Sequence, residues 1–283
     1  MLREERKELL FLWFKVFLIL AVSSAILFWV CNFARSIFYK HTTVIPVLMY
    51  HHFDETEFNS VTVTKNKFKS QMEALRKEGY TAITQKQVEE FYYNHVPLPK
   101  KPILITIDDG YSSNYQIAYP ILKKTGMKAT IFSVTSQAGQ TPGSLSHFSW
   151  RKAKLMSKSG VIEIQSHTDN LHHKEKRFFQ SVPSLMYEFK GETKQEYLRR
   201  IDKDLTTSRK TIKENVGTSG RAISYPFGET NQKAIEVAKE AGFKLGYVIG
   251  GNLNTKYSDP YRLNRINVPG NWDAEELLKA ITP

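Results

Sequence analysis

The sequence predicts an α/β fold: a single, distorted (β/α) barrel preceded by one N-terminal transmembrane helix. Three observations predict it. Short β-rich apolar runs alternate with helix-period segments from residue 44 onward, as in repeated βα units. One hydrophobic rhythm runs through that stretch, so it reads as one domain at 44–283. Residues 16–34 form a run of 19 without a charge, long enough to cross a bilayer.

The elements follow in chain order. Arg3, Arg6, Lys7 and Lys15 precede the apolar run, against Arg35 and Lys40 after it. The positive-inside bias therefore places residues 1–15 in the cytoplasm and the remainder outside, giving a single-pass membrane protein. The rival expectation is secretion after signal-peptide cleavage, but the run is long for a signal core and no clear small-x-small site follows it. Residues 35–43 read as a linker. VIPVLMYHH is an apolar strand ending in His51 and His52. KNKFKSQMEALRKEG and QKQVEEFYYNH have helical period, with strand-like GYTAIT between them. PILITIDDG, a helix through YQIAYPILKKTG, the strand KATIFSV and a loop near TSQAGQTPGS come next. WRKAKLMSKSG reads as a helix feeding VIEIQSH. Residues 173–193 show no clean period and read as a long loop over the site. EYLRRIDKDLTTSRKTIKENVG is a long amphipathic helix closed by Gly217. AISYPFG, NQKAIEVAKEAG, KLGYVIG and DAEELLKAI complete the alternation.

Charge and cysteine usage narrow the class. The chain carries 40 Lys+Arg against 28 Asp+Glu, a formal net charge of +12, with a pI near 9.5. The excess is spread through segments such as HHKEKR and KTIKENVGTSGR rather than gathered into one arm. With no nucleic-acid motif, the expected surroundings are the anionic polymers or lipids of a bacterial envelope, or else the excess is a solvated basic surface with no dedicated partner; nucleic acid is not expected. Cys31 is the single cysteine, which excludes an intrachain disulfide and a Cys-based zinc site. Trp29 and Val30 before it are the wrong chemistry for a lipoprotein cysteine.

Two segments carry the chemistry. KPILITIDDG ends in Asp108 and Asp109 before Gly110; VIEIQSHTDNLH delivers His167 and His172, with Ser166 and Asp169 close by. Each alone has an ordinary reading, since Asp-Asp-Gly is a common turn and paired histidines are often surface or core residues. Both, however, end apolar β-rich runs, and α/β folds build their sites at the C-terminal ends of strands. Side chains alternate along a strand, so two adjacent carboxylates at its end point different ways. One can bind a metal while the other faces a reactant. An Asp with two His is a three-ligand set that leaves room for water and substrate, the outline of a metal-assisted hydrolase.

TIDDGY (106–111) with SHTDNLH (166–172) resembles the first two motifs of the NodB-like polysaccharide deacetylases, carbohydrate esterase family four. LMYHH, HFSWRKAKLMSKSGVIEIQSHT and the late YPFG resemble more narrowly the poly-β-1,6-N-acetylglucosamine N-deacetylases of biofilm systems, across 46–268. The resemblance implies a NodB-type barrel and metal-dependent N-deacetylation of an extracellular N-acetylglucosamine polymer, with the polymer's synthesis and export machinery as a candidate partner. It implies Asp109, His167 and His172 as ligands of one divalent ion, zinc foremost, with cobalt or nickel permitted by the same donors. Asp108 would be the general base, the Phe227 backbone N–H the oxyanion donor, and His51 the general acid, supplied from the first strand. His52 competes with His51, because successive strand residues face opposite sides. Tyr225 and Phe227 are expected to line the sugar groove, since flat aromatic faces stack on pyranose rings, with burial in the core as the equally common alternative for an aromatic side chain.

Two departures stand out. Ser224 occupies the place of the Arg that begins the family's third motif, and Arg265 in RLNRINV is expected to supply that guanidinium from a neighbouring strand end. The Asp-Trp of the fourth motif has no clear counterpart, because Trp272 in GNWD lies too late. Peptidoglycan or chitin-oligomer N-deacetylation, O-acetyl ester cleavage, and a membrane-tethered carbohydrate-binding protein without turnover are the alternatives.

Overall fold

Seven parallel strands close into a ring in the protein's structure, a computed structural model that describes residues 2–40, 42–177 and 180–282. The N-terminal unit is a single helix, α1 (Leu2–Lys40). Every side chain from Phe11 to Cys31 on it is exposed. Its backbone is helical through the first residues of the stretch read as a linker from 35.

The second unit, Val44–Thr282, opens with β1 (Val47–Tyr50) and the short pair β2 (His52–Asp54) and β3 (Thr62–Thr64). Then come α2 (Lys65–Lys77), β4 (Thr81–Ala82), α3 (Gln85–Asn94) and β5 (Pro102–Ile107). A π-type turn at Asn114–Ala118 leads into α4 (Tyr119–Thr125), followed by β6 (Ala129–Ser133), α5 (Trp150–Lys158) and β7 (Ile162–Ser166). Next are β8 (Lys174–Arg177), β9 (Gln180–Pro183), α6 (Lys194–Val216) and β10 (Ala222–Ser224). The chain ends with α7 (Gln232–Glu240), β11 (Leu245–Ile249), β12 (Leu263–Asn267) and α8 (Ala274–Ile281).

The ring runs β1-β12-β11-β10-β7-β6-β5 and returns to β1; β4 adds to the outer end of β5. All pairs in it are parallel. A parallel strand is covered on both faces, which is why PILITI reads as a continuous apolar run: all six of its residues are buried. α6 buries Tyr197, Ile201, Leu205, Ser208, Ile212 and Val216 at spacings of three and four, one stripe against α5, α7 and β7. A Thr193/Glu196 capping box starts it, and Gly217 at φ 92° ends it.

Two expectations need correction. Residues 173–193 are not one structureless loop: β8 and β9 form an antiparallel hairpin with Lys174 opposite Pro183, and positions 178–179 lie outside the described residues. The first strand also stops earlier than VIPVLMYHH suggests. Its register on β5 ends at Tyr50↔Ile107, and His52 belongs to the separate β2–β3 pair.

Candidate active site

The C-terminal ends of β1, β5, β7 and β10 bring the chemistry-bearing residues together. His51 follows β1 directly. Asp108 N–H donates to Tyr50 O at 2.8 Å, so the β1–β5 ladder still holds the first carboxylate. The chain then turns sharply: Gly110 N–H donates back to Asp108 O at 2.9 Å, with Asp109 at φ 70° and Gly110 at φ 88°. A Cβ on Gly110 would stand 2.7 Å from Ser133 Oγ, so this position is restricted to glycine by space and by conformation. The turn sends two adjacent carboxylates into different surroundings.

Asp108 is fully engaged. Its Oδ1 accepts from Arg265 Nη1 at 2.7 Å and its Oδ2 from Ser224 Oγ at 3.1 Å, while His167 Nε2 lies 3.7 Å away. Burial works against its ionised form, but the Arg265 guanidinium and His167 outweigh burial and hold the carboxyl well below the usual range.

Asp109 is the opposite case. It is buried, and its Oδ1 has no hydrogen-bond partner among the described residues. His167 Nε2 lies 3.6 Å and His172 Nε2 3.5 Å from that oxygen, and one ligand atom from each residue falls within 4.8 Å of the others. Burial, reinforced by the neighbouring Asp108 and opposed by His51, pushes the Asp109 carboxyl up to about 6. His167 Nδ1 lies 2.7 Å from Ser224 O; a carbonyl only accepts, so the proton sits on Nδ1 and the Nε2 lone pair is free. Burial pushes the His167 ring down to about 3 and lowers His172 as well. A carboxylate oxygen and two unprotonated ring nitrogens thus converge on one point. A divalent cation satisfies that donor set, and nitrogen and oxygen donors without sulfur fit zinc, cobalt or nickel.

Phe227 forms the opposite wall. It sits in a turn at Pro226–Gly228 with φ 61°, and its ring stacks on His172 at 4.9 Å. A Cβ on Gly228 would come within 2.2 Å of Ile249 Cγ1. The cavity that His51, Asp108, Asp109, His167, His172 and Phe227 share holds about 110 Å³.

A sequence model described as polysaccharide deacetylase matches residues 95–246, more than half of the chain, and spans both carboxylates, both histidines and Phe227. The chain belongs to the polysaccharide deacetylase family. It is therefore a hydrolase of N-acetyl amide bonds. Over 228 residues the deacetylase is 32% identical to the YxkH protein of Bacillus subtilis (strain 168), covering 80% of this chain and 72% of that one; the relative's name assigns polysaccharide deacetylation without a substrate. It is 31% identical over 225 residues to the poly-β-1,6-N-acetyl-D-glucosamine N-deacetylase of Staphylococcus aureus (strain MSSA476), covering 79% and 73%. A de-N-acetylase of Aggregatibacter actinomycetemcomitans has the same fold, with a TM-score of 0.76 at 25% identity over 84% of this chain and 100% of that one.

The structure brings His51, Asp108, Asp109, His167, His172, Phe227 and Arg265 of the deacetylase to one place. His51 lines the cavity, with its Nδ1 buried and unpartnered among the described residues. His52 lies 3.3 Å from Thr62 Oγ1 through its Nδ1 and packs edge-on to Tyr111. Tyr225 is a correction: it is fully buried in the core beside Tyr197 and Phe243, so its ring cannot line a sugar groove. Arg265 is not on the surface of a strand end but inside the barrel, 1% exposed, in the middle of β12. Sequence reasoning did not find Tyr111, whose ring packs against His52 and His147, nor Asp204, whose carboxylate accepts from the Asp169 and Asn170 amides. Tyr111 stands two residues from Asp109, which was a signal; Asp204 looks like any helix-surface charge.

Proposed function

We propose that this deacetylase removes N-acetyl groups from poly-β-1,6-N-acetylglucosamine outside the cell, with one divalent ion, zinc foremost, held by Asp109, His167 and His172. The convergence of those three lone-pair donors around the orphaned Asp109 Oδ1 is the observation that carries the reading. The choice of polymer rests on the 31% identity to the Staphylococcus aureus enzyme. When bound, the ion supplies Lewis acidity, raising the acidity of a water and polarising the acetamide carbonyl.

The chain's own residues do the rest. Asp108 is the general base. Arg265 and Ser224 fix its direction and keep it ionised, so that it can accept the proton of the attacking water. The Phe227 backbone N–H donates to the oxyanion that forms as the water oxygen attacks the acetyl carbon. An amide nitrogen cannot leave as an anion, so His51 gives it a proton as the C–N bond breaks. The products are acetate and a free sugar amine. Residues 16–34 would hold the enzyme in the membrane, with residues 1–15 in the cytoplasm and the barrel outside, beside the machinery that makes or exports the polymer. The amines so created make the biofilm matrix cationic and adherent to anionic cell surfaces.

The test uses the full chain in detergent, stripped of metal and reloaded with zinc. Free-amine release is followed on β-1,6-linked N-acetylglucosamine oligomers, with chitin oligomers and peptidoglycan fragments in parallel and Asp108→Asn as control. Metal-dependent release that favours the β-1,6 oligomers and falls by about 10²–10⁴ in the variant is expected. Release from peptidoglycan or chitin fragments alone would replace the polymer, and no release from metal-loaded protein would discard the reading.

A further inference from the structure

The segment carrying both histidines leaves β7 through an unfavourable conformation. Thr168 lies at φ 71°, in the left-handed region, where a β-branched residue is a rare outlier. It is fully buried, and its Oγ1 has no partner among the described residues. A conformation of this kind persists only where its surroundings impose it.

The surroundings that do so come from two sides. On α6, Asp204 accepts from the Asp169 N–H through Oδ1 at 2.9 Å and from the Asn170 N–H through Oδ2 at 2.7 Å. One turn further along that helix, Ser208 Oγ pairs with Ser166 Oγ at 2.7 Å, and Ser166 Oγ accepts from Thr168 N–H at 3.1 Å. Beyond β6, Thr135 N–H donates to Thr168 O at 3.1 Å, and Thr135 Oγ1 donates to Asp169 Oδ1 at 2.5 Å. Asp204 is mostly buried, and burial raises its carboxyl to about 6, so a charge is an unfavourable occupant of that spot. What only a carboxylate offers there is a pair of acceptor atoms for two consecutive amides. Residues 169 and 170 lie between the two histidines.

We propose that Asp204 is a positioning residue for the metal centre: by capping the Asp169 and Asn170 amides it holds the left-handed turn at Thr168 that sets His172 against His167 and Asp109. The proposal rests on the metal-centre reading above. Without the cap, the turn relaxes toward negative φ at Thr168, and His172, four residues on, leaves its place beside Asp109.

The experiment compares zinc affinity, by chelator competition, in full-length wild type, Asp204→Asn, Thr168→Gly and the double variant. Asparagine offers one acceptor and turns a donor toward the second amide. A 10- to 100-fold loss of affinity is expected for Asp204→Asn, with altered visible absorption of the cobalt-loaded protein. Glycine adopts φ 71° without strain, so the same substitution should cost only a few-fold in the Thr168→Gly background. A merely structural effect of removing the carboxylate would be equal in both backgrounds, and that result overturns the proposal. So does wild-type affinity in Asp204→Asn. Wild-type protein that binds no metal would instead overturn the metal-centre reading and this proposal with it. If Asp204→Asn does not fold, Asp204→Glu keeps the charge but moves the carboxylate by one methylene, and the same loss and rescue are expected of it.

Discussion

Arg265 holds Asp108 from the far side of an intervening strand. Its Nη1 stands 2.7 Å from Asp108 Oδ1 although β1 lies between β12 and β5 in the ring. The second arm closes a triangle: Nη2 donates to Ser224 Oγ at 2.8 Å, and that hydroxyl donates to Asp108 Oδ2 at 3.1 Å. Ser224 is the position where the family's third motif begins with arginine. A side chain this small leaves space for a guanidinium arriving from elsewhere and serves as its relay. The pair is 1% and 2% exposed, so neither charge has water as an alternative partner.

Replacing Arg265 therefore strands a buried charge. Arg265→Met should cost about 3–5 kcal/mol of stability, measured by urea unfolding at pH 7. In wild type the Asp108 carboxyl is held below its unfolded value, near 3.9 for an ordinary Asp. Its contribution to stability is thus complete above that value and lost only as pH falls toward the folded one. Without Arg265, burial dominates and the carboxyl rises, so the acid limb of the kcat/KM profile should move to higher pH. Arg265→Lys keeps the charge but loses the fork, and its limb should fall between the two. A limb unmoved in Arg265→Met would mean that other groups keep Asp108 ionised.

His51 and His52 differ by one residue and by surroundings, and substitution should separate them. His51→Ala should lower kcat on an N-acetylated sugar by about 10²-fold or more, the usual reach of general acid catalysis. On an aryl acetate the leaving group departs without a proton, so the loss there should be small. His52, engaged with Thr62 and Tyr111, should tolerate alanine within about threefold on both substrates. Equal losses on amide and ester would remove His51 from the proton-donor role.

How far the sequence reveals this arrangement depends on what each residue has to satisfy. β5 and α6 are legible because burial alone fixes their patterns: an unbroken apolar run for a strand covered on both faces, a three-four stripe for a helix on one. The β8–β9 hairpin is not, because Lys174, Glu175 and Lys176 are all exposed and burial on β9 is confined to Val182 and Pro183, too short a pattern to read. β12 is obscured for a different reason. Its LNRIN sequence spends Arg265 on Asp108, while the Asn264 N–H and C=O bond Asn254, so specific polar partners replace alternation. Asp109 and the two histidines are legible as a set because metal-seeking side chains at strand ends are unusual chemistry. The ring direction of Tyr225 is not, since a tyrosine at a strand end serves core and groove equally well. Asp204 braces a turn 35 residues away, and nothing local in RRIDKDL marks it out.

Asp109 should be a residue whose removal stabilises the metal-free protein. Its carboxyl is raised to about 6 by burial and by Asp108, and its Oδ1 finds no partner among the described residues. A folded value above the unfolded one means that the protonated form is favoured in the fold, so stability is lost as pH rises through about 6. An asparagine in its place would carry no charge to desolvate. Metal-free Asp109→Asn should therefore exceed metal-free wild type by about 1–3 kcal/mol at pH 8, and the advantage should vanish below pH 4, where the wild-type carboxyl is protonated in both states. Adding zinc should reverse the order: wild type gains stability by mass action with the ion, while the variant, deprived of a ligand, gains much less. Urea unfolding of both proteins at pH 4, 6 and 8, with and without zinc, checks every part of this. A metal-free variant less stable than wild type at pH 8 would show that Asp109 has a cationic partner in the fold even without the ion, and would count against the orphaned carboxylate as a metal ligand.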